Sequence, residues 1–230
     1  MIEFLKTYGI VVSAEQAGVL EEHLRFVLEK NRSINLTRIT EHESALVLHV
    51  LDSLLVLPEV LSAPVGKLLD MGSGAGYPGL PLAVMSQRQT TLLDAREKKV
   101  LVLQEFLSQR AGLSCCRAVA GRAEEFAGEH REEYAVVTAR ALTALPSLLE
   151  LASPLLQAGG WLIALKGALQ ADEKARADQL RAATGLSLRS QRAYSLPSGE
   201  HREVVVYEKM NSAQIELPRR VGRAQRKPLA

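Results

Sequence analysis

Residues able to do chemistry gather first in the run Leu68-Leu-Asp-Met-Gly-Ser-Gly-Ala-Gly-Tyr-Pro-Gly79. Gly72, Gly74 and Gly76 lack Cβ atoms, so backbone there can approach a ligand closely and turn through positive φ. A helix starting after them presents unpaired N–H groups. Asp70 stands at the carboxyl end of the strand expected to precede them, where open α/β sheets bind ligands. Gly74-Ala-Gly-Tyr-Pro-Gly79 also satisfies the dinucleotide pattern G-x-G-x-x-G, and Asp94 follows Gly74 by twenty residues. At the end of a second strand, Asp94 would accept both ribose hydroxyls of either a dinucleotide or S-adenosylmethionine. Three features favour S-adenosylmethionine: an acid two residues before the glycines, suited to a cationic methionine end; a helical extension of over sixty residues; and a terminal hairpin.

Other positions take roles around that loop. Gly121-Arg-Ala-Glu-Glu-Phe126 should follow a third strand, where Ala123 and Glu124 would meet adenine. Thr138-Ala-Arg-Ala141 should follow a fourth and face the methyl acceptor. It lacks the Asn/Asp-Pro-Pro-aromatic signature for exocyclic amines, and neither Cys115 nor Cys116 lies there to attack a pyrimidine carbon. This permits an acceptor that is already nucleophilic, such as guanine N7, whose transfer runs on alignment and electrostatics without a general base. Arg140, just beyond a buried strand, would hold the cofactor carboxylate or donate to guanine O6. Lys166 ends a fifth strand, either contacting RNA phosphate or snorkelling from the strand end. His49 and Asp52, three residues apart, share a helical face. Aromatics make up only 4%, so a broad base-stacking platform is not expected and Tyr77 is the best single stacking candidate.

Periodicity supplies the elements that must hold these groups. Ser13 with Gln16 forms a capping box ahead of the stripe Ala17, Leu20, Leu24, Val27 and Leu28. Thr40 with Glu43 opens a second predicted helix, ended by Pro58 and Ser62-Ala-Pro64. From Lys67 onward short apolar strands alternate with helices: Lys67 to Met71, Thr90 to Asp94, Cys116 to Val119, Tyr134 to Thr138 and Trp161 to Leu165. Leu186 to Tyr194 and Arg202 to Tyr207 flank Pro197-Ser-Gly-Glu200 and read as a hairpin. The expected fold is α/β, Rossmann-like and of the class I S-adenosylmethionine methyltransferase kind: a mostly parallel sheet with an antiparallel last strand. A small helical extension over 1–63, the methyltransferase domain over 64–210 and a basic tail over 211–230 divide the chain.

Composition limits the function classes. With 47% apolar and 23% charged residues in 230, the chain can bury a core and keep an ordinary soluble surface. Its apolar stretches, such as Leu46 to Leu57, read as too short for a bilayer, and Met1-Ile-Glu-Phe-Leu-Lys6 is no signal peptide. Adjacent cysteines make neither a disulfide framework nor a metal pair, so a cytoplasmic location and no metal are expected. Net charge is +2, but 211–230 alone carries five basic residues and one acid, leaving −2 for the rest. With Pro218, Gly222 and Pro228, the tail reads as a flexible arm or solvated end whose Arg219, Arg220 and Arg223 would meet a polyanion, apart from the cofactor site.

Taken in order, these motifs resemble the ribosomal RNA small-subunit methyltransferase G family. The likeness runs through Asn35-Leu-Thr37, His49 with Asp52-Ser53, the loop from Asp70 to Gly79, and Asp94 with Lys98-Lys99. It continues through Arg140-Ala141, Lys166-Gly167, Leu217-Pro-Arg-Arg-x-Gly222 and Lys227-Pro-Leu229. Departures are Ala95 in place of a serine, Leu217 in place of an aromatic, and Ala224 near an expected proline. The resemblance implies methyl transfer from S-adenosylmethionine to N7 of a guanine in 16S rRNA near the decoding centre. It also implies cofactor contacts at Gly72, Tyr77, Ala123, Glu124 and Arg140, with His49 and Asp52 shaping the entrance above. The partner would be 16S rRNA or the small ribosomal subunit. Two competitors are a non-enzymatic assembly factor that senses the cofactor and a nicotinamide-dependent oxidoreductase on the same glycine loop.

Overall fold

The computed structural model describes residues 1–230. After a short helix, Ile2–Lys6, helix α1 (Ala14–Asn31) starts at the predicted capping box: Ser13 Oγ accepts from Gln16 N while the Gln16 side chain accepts from Ser13 N. Its buried face is the predicted stripe from Ala17 to Val27 with His23 added, while Leu28 is half-buried. Helix α2 (His42–Ser62) starts one residue later than expected, because Glu41 rather than Thr40 is its N-cap and no side chain caps it. The preceding loop is tied down instead by Asn31, whose Oδ1 accepts from Leu36 N and Thr37 N. Pro58 opens the last turns, Leu57–Ser62, at a position where a missing N–H costs nothing, rather than ending the helix. At 21 apolar-rich residues α2 is long enough to cross a membrane, which corrects the sequence estimate of that stretch; half of it is buried inside the protein.

Seven strands form one sheet in the order β3-β2-β1-β4-β5-β7-β6. They are β1 (Lys67–Met71), β2 (Thr90–Asp94), β3 (Cys116–Ala120), β4 (Tyr134–Arg140), β5 (Leu156–Lys166), β6 (Leu186–Ser195) and β7 (His201–Lys209). Strands β1 to β5 run parallel, and β7 pairs antiparallel with both β5 and β6. Central strands buried on both faces need continuous apolar runs, and β4 is buried from Tyr134 to Ala139. Between the strands lie α3 (Gly79–Ser86), α4 (Glu97–Ser108), α5 (Ala123–Glu129), α6 (Leu145–Ala152) and α7 (Ala171–Gln179).

Neighbouring strand residues face opposite sides, so Leu92 and Leu93 belong to different core clusters. Leu92 lies in a cluster of 26 buried residues that joins Leu20, Leu24 and Leu51 of the N-terminal helices to Leu80, Val100 and Phe106. The N-terminal extension therefore shares its core with the sheet. Leu93 lies in a cluster of 23 with Leu148, Leu149 and Tyr207, joined by Ala224 from the C-terminal tail.

Candidate active site

Between β1 and α3 the glycine loop is pinned from below by Asp70. This carboxylate is fully buried and accepts from Ser73 Oγ (2.6 Å), Gly79 N (2.9 Å) and Thr138 Oγ1 (2.9 Å). Burial pushes its carboxyl above the usual range, while the hydrogen bonds pull the other way. Asp70 thus anchors the loop: where the sequence suggested a contact to a cationic methionine end, the structure has Ser73, Gly79 and Thr138 donating to its oxygens.

Gly72, Asp94, Ala123 and Glu124 do come together, around a cleft of about 40 Å³ that Leu142 and Gln225 also line. Asp94 Oδ2 accepts from Gly74 N (2.8 Å) and Oδ1 from Arg96 N (2.8 Å), fixing the carboxylate at the rim. Gly72 has φ +79°, a conformation that favours glycine, and a Cβ there would lie 2.7 Å from Leu142 Cδ1. A carboxylate for vicinal hydroxyls, a glycine floor and the small Ala123 suit an adenosyl group. The cleft holds a few waters' worth of space, well below the roughly 300 Å³ at which ligand clefts begin, because Leu142 lies over Gly72.

Gly76 and Tyr77 turn the other way. A Cβ at Gly76 would lie 3.0 Å from the His23 ring and from Leu103. Tyr77 is 4% exposed, its ring stacked on His49 (4.6 Å, 12°) and tilted against His23 (4.8 Å, 44°), while the Arg140 guanidinium sits 5.9 Å away. A ring buried to this degree against two histidines cannot stack on a nucleobase, which corrects that expectation. Burial drives both histidines down to about 3, helped at His49 by Arg140, so both are neutral near pH 7.

Next to this column opens a larger cavity of about 430 Å³, lined by His49, Asp52, Arg140, Lys166, Glu200 and Arg202 among others. Its upper wall is the part of α2 that widens into a π turn over Leu46–Leu51, a geometry frequent at functional sites. His49 Nε2 shares a hydrogen bond with Thr37 Oγ1 (2.9 Å). Asp52, 1% exposed, accepts from Arg140 NH1 (3.0 Å), Arg202 Nε (3.2 Å) and Tyr194 Oη (3.0 Å). Arg140 NH1 also donates to Leu48 O (2.9 Å). Arg140 and Ala141 line the larger cavity and Leu142 the small cleft, so the end of β4 separates the two. Lys166 reaches the larger cavity but donates to Thr143 O (3.0 Å) and pairs with Glu173 (2.8 Å), so its charge is balanced within the protein. Tyr194, Glu200 and Arg202 were missed in sequence; only the position of the hairpin beside β5 brings them here.

The basic tail is not a free arm. Arg219 Nε donates to Glu150 Oε2 (2.7 Å), Gly222 N to Glu124 Oε1 (2.7 Å) and Ser147 Oγ to Ala224 O (2.8 Å), and Arg131 NH1 binds Leu217 O (2.8 Å). Glu150 is 1% exposed, and a buried carboxylate needs a cationic or donor partner. Arg219, expected on RNA, is consumed by that need. Arg220 and Arg223 remain exposed.

Strand order, the antiparallel β7 between β5 and β6, and the glycine loop opposite Asp94 define a class I methyltransferase that uses S-adenosylmethionine. The 3-2-1-4-5-6 order of dinucleotide-binding folds is thereby set aside. An O-methyltransferase from Bacillus cereus, solved in complex with SAH, has a similar fold: TM-score 0.57, 19% identity, 82% of this chain and 91% of that one covered. The antibiotic-resistance methyltransferase Kmr is also similar, with TM-score 0.51 and 18% identity over 67% and 92% of the two chains. Residues 16–203 match the family model described as rRNA small subunit methyltransferase G. Relatives carrying the name ribosomal RNA small subunit methyltransferase G include one from Pelotomaculum thermopropionicum, 36% identical over 99% of this chain and 96% of its own. Another, from Streptococcus gordonii, is 33% identical over 99% and 97%. The chain belongs to the rRNA small subunit methyltransferase G family.

Proposed function

We propose that this protein methylates N7 of a guanine in the small-subunit (16S) ribosomal RNA near the decoding centre, working in the cytoplasm on rRNA or the small subunit. The observation that carries this reading is the larger cavity beside the adenosyl cleft: it presents two guanidinium groups, and burial and Arg140 hold its one histidine down to about 3. When bound, S-adenosylmethionine would supply an electrophilic methyl group, and N7, with a free lone pair and no proton, asks no base of the protein. Arg140 and Arg202, held by Asp52, would donate to O6 and orient the base. His49, held near 3, is too weak a base to matter above neutrality, which suits an acceptor with a free lone pair. Asp94 would hold the ribose hydroxyls, with Gly72, Gly74, Ala123 and Glu124 around the nucleoside. Arg220 and Arg223 would meet RNA phosphates, with Lys166 at the cavity wall. Incubating the protein with S-adenosylmethionine and either unmodified 16S rRNA or small subunits, then mapping the product by mass spectrometry, tests the reading. Methylation at an exocyclic amine or a pyrimidine carbon would refute it.

A further inference from the structure

Around the adenosyl cleft, one wall comes from a segment that neither charge nor motif assigned to it. Gln225, on the short turn Arg223–Arg226, lines the cleft together with Gly72, Asp94, Ala123 and Leu142. The turn is held by bonds that satisfy buried groups of the main domain. Glu124, 8% exposed, takes Gly222 N, and Glu150, 1% exposed, takes Arg219 Nε and Leu229 N (2.8 Å). Ser147 holds Ala224 O, and the Ala224 side chain is buried in the core. Releasing the tail would leave two buried acids without donors, a costly outcome. The segment therefore stays docked. The group free to yield to a ligand is Leu142, a single side chain on the loop after β4, where Ala141 already holds a positive φ of 52°.

We propose that the C-terminal tail is the outer wall of the adenosyl cleft and that Gln225 contacts the bound nucleoside. A carboxamide offers one donor and one acceptor group side by side, which suits the edge of adenine. Its neighbours Arg220 and Arg223 stay outside, so one short segment carries a cofactor-facing and an outward basic side. The inference rests on the adenosyl group occupying the cleft of Gly72 and Asp94, which Asp94→Ala tests separately.

The experiment measures S-adenosylhomocysteine binding by calorimetry in three proteins: the full chain, a chain ending at Gly222, and Gln225→Ala. The shortened chain keeps Arg219 on Glu150 and Gly222 on Glu124, while losing Leu229 N on Glu150, Ala224 O on Ser147 and the buried Ala224 side chain. Expected are a Kd at least tenfold weaker for the shortened chain and several-fold weaker for Gln225→Ala. Hydrogen exchange in the full chain gives a second readout. The amides of Arg226 and Lys227, bonded to Gly222 O and Arg223 O, should exchange more slowly with S-adenosylhomocysteine present. If the shortened chain fails to fold, exchange in the full chain and Gln225→Ala decide. Affinities within twofold of the full chain, or tighter, together with unchanged exchange at 223–227, overturn the proposal; if Asp94→Ala also binds normally, the placement of the adenosyl group fails with it.

Discussion

Replacing Asp52 with alanine tests the larger cavity most directly. The carboxylate is 1% exposed and faces Arg140 and Arg202, whose side chains are 15% and 22% exposed. Without it, Arg140 and Arg202 lose the carboxylate oxygen they share, and Tyr194 Oη loses its acceptor. Breaking one side of a buried ion pair costs about 3–5 kcal/mol. Partial solvent access to both arginines argues for the lower end, about 3 kcal/mol. In a chain of this size that corresponds to a fall in Tm of roughly 6–12 °C. Asp52→Asn keeps the shape and the tyrosine's acceptor, so it should lose less. Asp52 lines the larger cavity and not the adenosyl cleft, so S-adenosylhomocysteine affinity should stay within about threefold while single-turnover methyl transfer to rRNA falls at least tenfold. Scanning calorimetry and rapid-quench kinetics on the same preparations give both numbers. A Tm change under 2 °C, or an affinity loss as large as the rate loss, would refute the assignment of Asp52 as the brace of Arg140 and Arg202.

Asp94→Ala should weaken S-adenosylmethionine binding by about 2 kcal/mol or more while leaving far-UV circular dichroism unchanged, since a charged acceptor for ribose is lost; unaltered calorimetric affinity would mean β2 does not end at the nucleoside. Single-turnover methyl transfer should be level between pH 6 and 9, because no base must be deprotonated, and a tenfold rise per unit would indicate another acceptor atom. Stability should fall as pH drops from 7 to 5: His23 and His49 titrate near 3 when folded but near 6.5 when unfolded, so acid protonates the unfolded chain first. Each contributes about 2 kcal/mol of that loss, and His23→Leu should reduce the urea-measured slope by about half; an unchanged slope contradicts a neutral, buried His23.

Strand positions were legible because buried parallel strands advertise themselves as apolar runs: β1 and β2 begin and end where their residues predict. The hairpin at the end of the sheet was readable from its turn residues, and so was the grouping of Gly72, Asp94, Ala123 and Glu124, since loops after successive parallel strands meet at one sheet edge. Long-range pairings were not. Tyr194 and Arg202 reach Asp52 across 142 and 150 residues, and no local pattern encodes such a contact. The charge of the tail suggested a flexible basic arm or a solvated end, but charge counts cannot show that Arg219 is claimed by Glu150. Tyr77 misled for a similar reason: its type allows base stacking, and only packing reveals that two histidines cover its ring.

The shared core of the N-terminal helices has a consequence for how the protein is made. Leu20, Leu24 and Leu51 find their partners in Leu80, Val100 and Phe106, and the same cluster closes with Cys116 and Ala118 on β3. Chains leave the ribosome amino end first, at roughly 5–20 residues per second, so the opening helices wait several seconds for those partners to be synthesised. Until then their apolar faces are open to chaperones or to other nascent chains. Slow codons placed between α2 and β3 should therefore lower soluble yield, whereas the same codons placed after β7 should not.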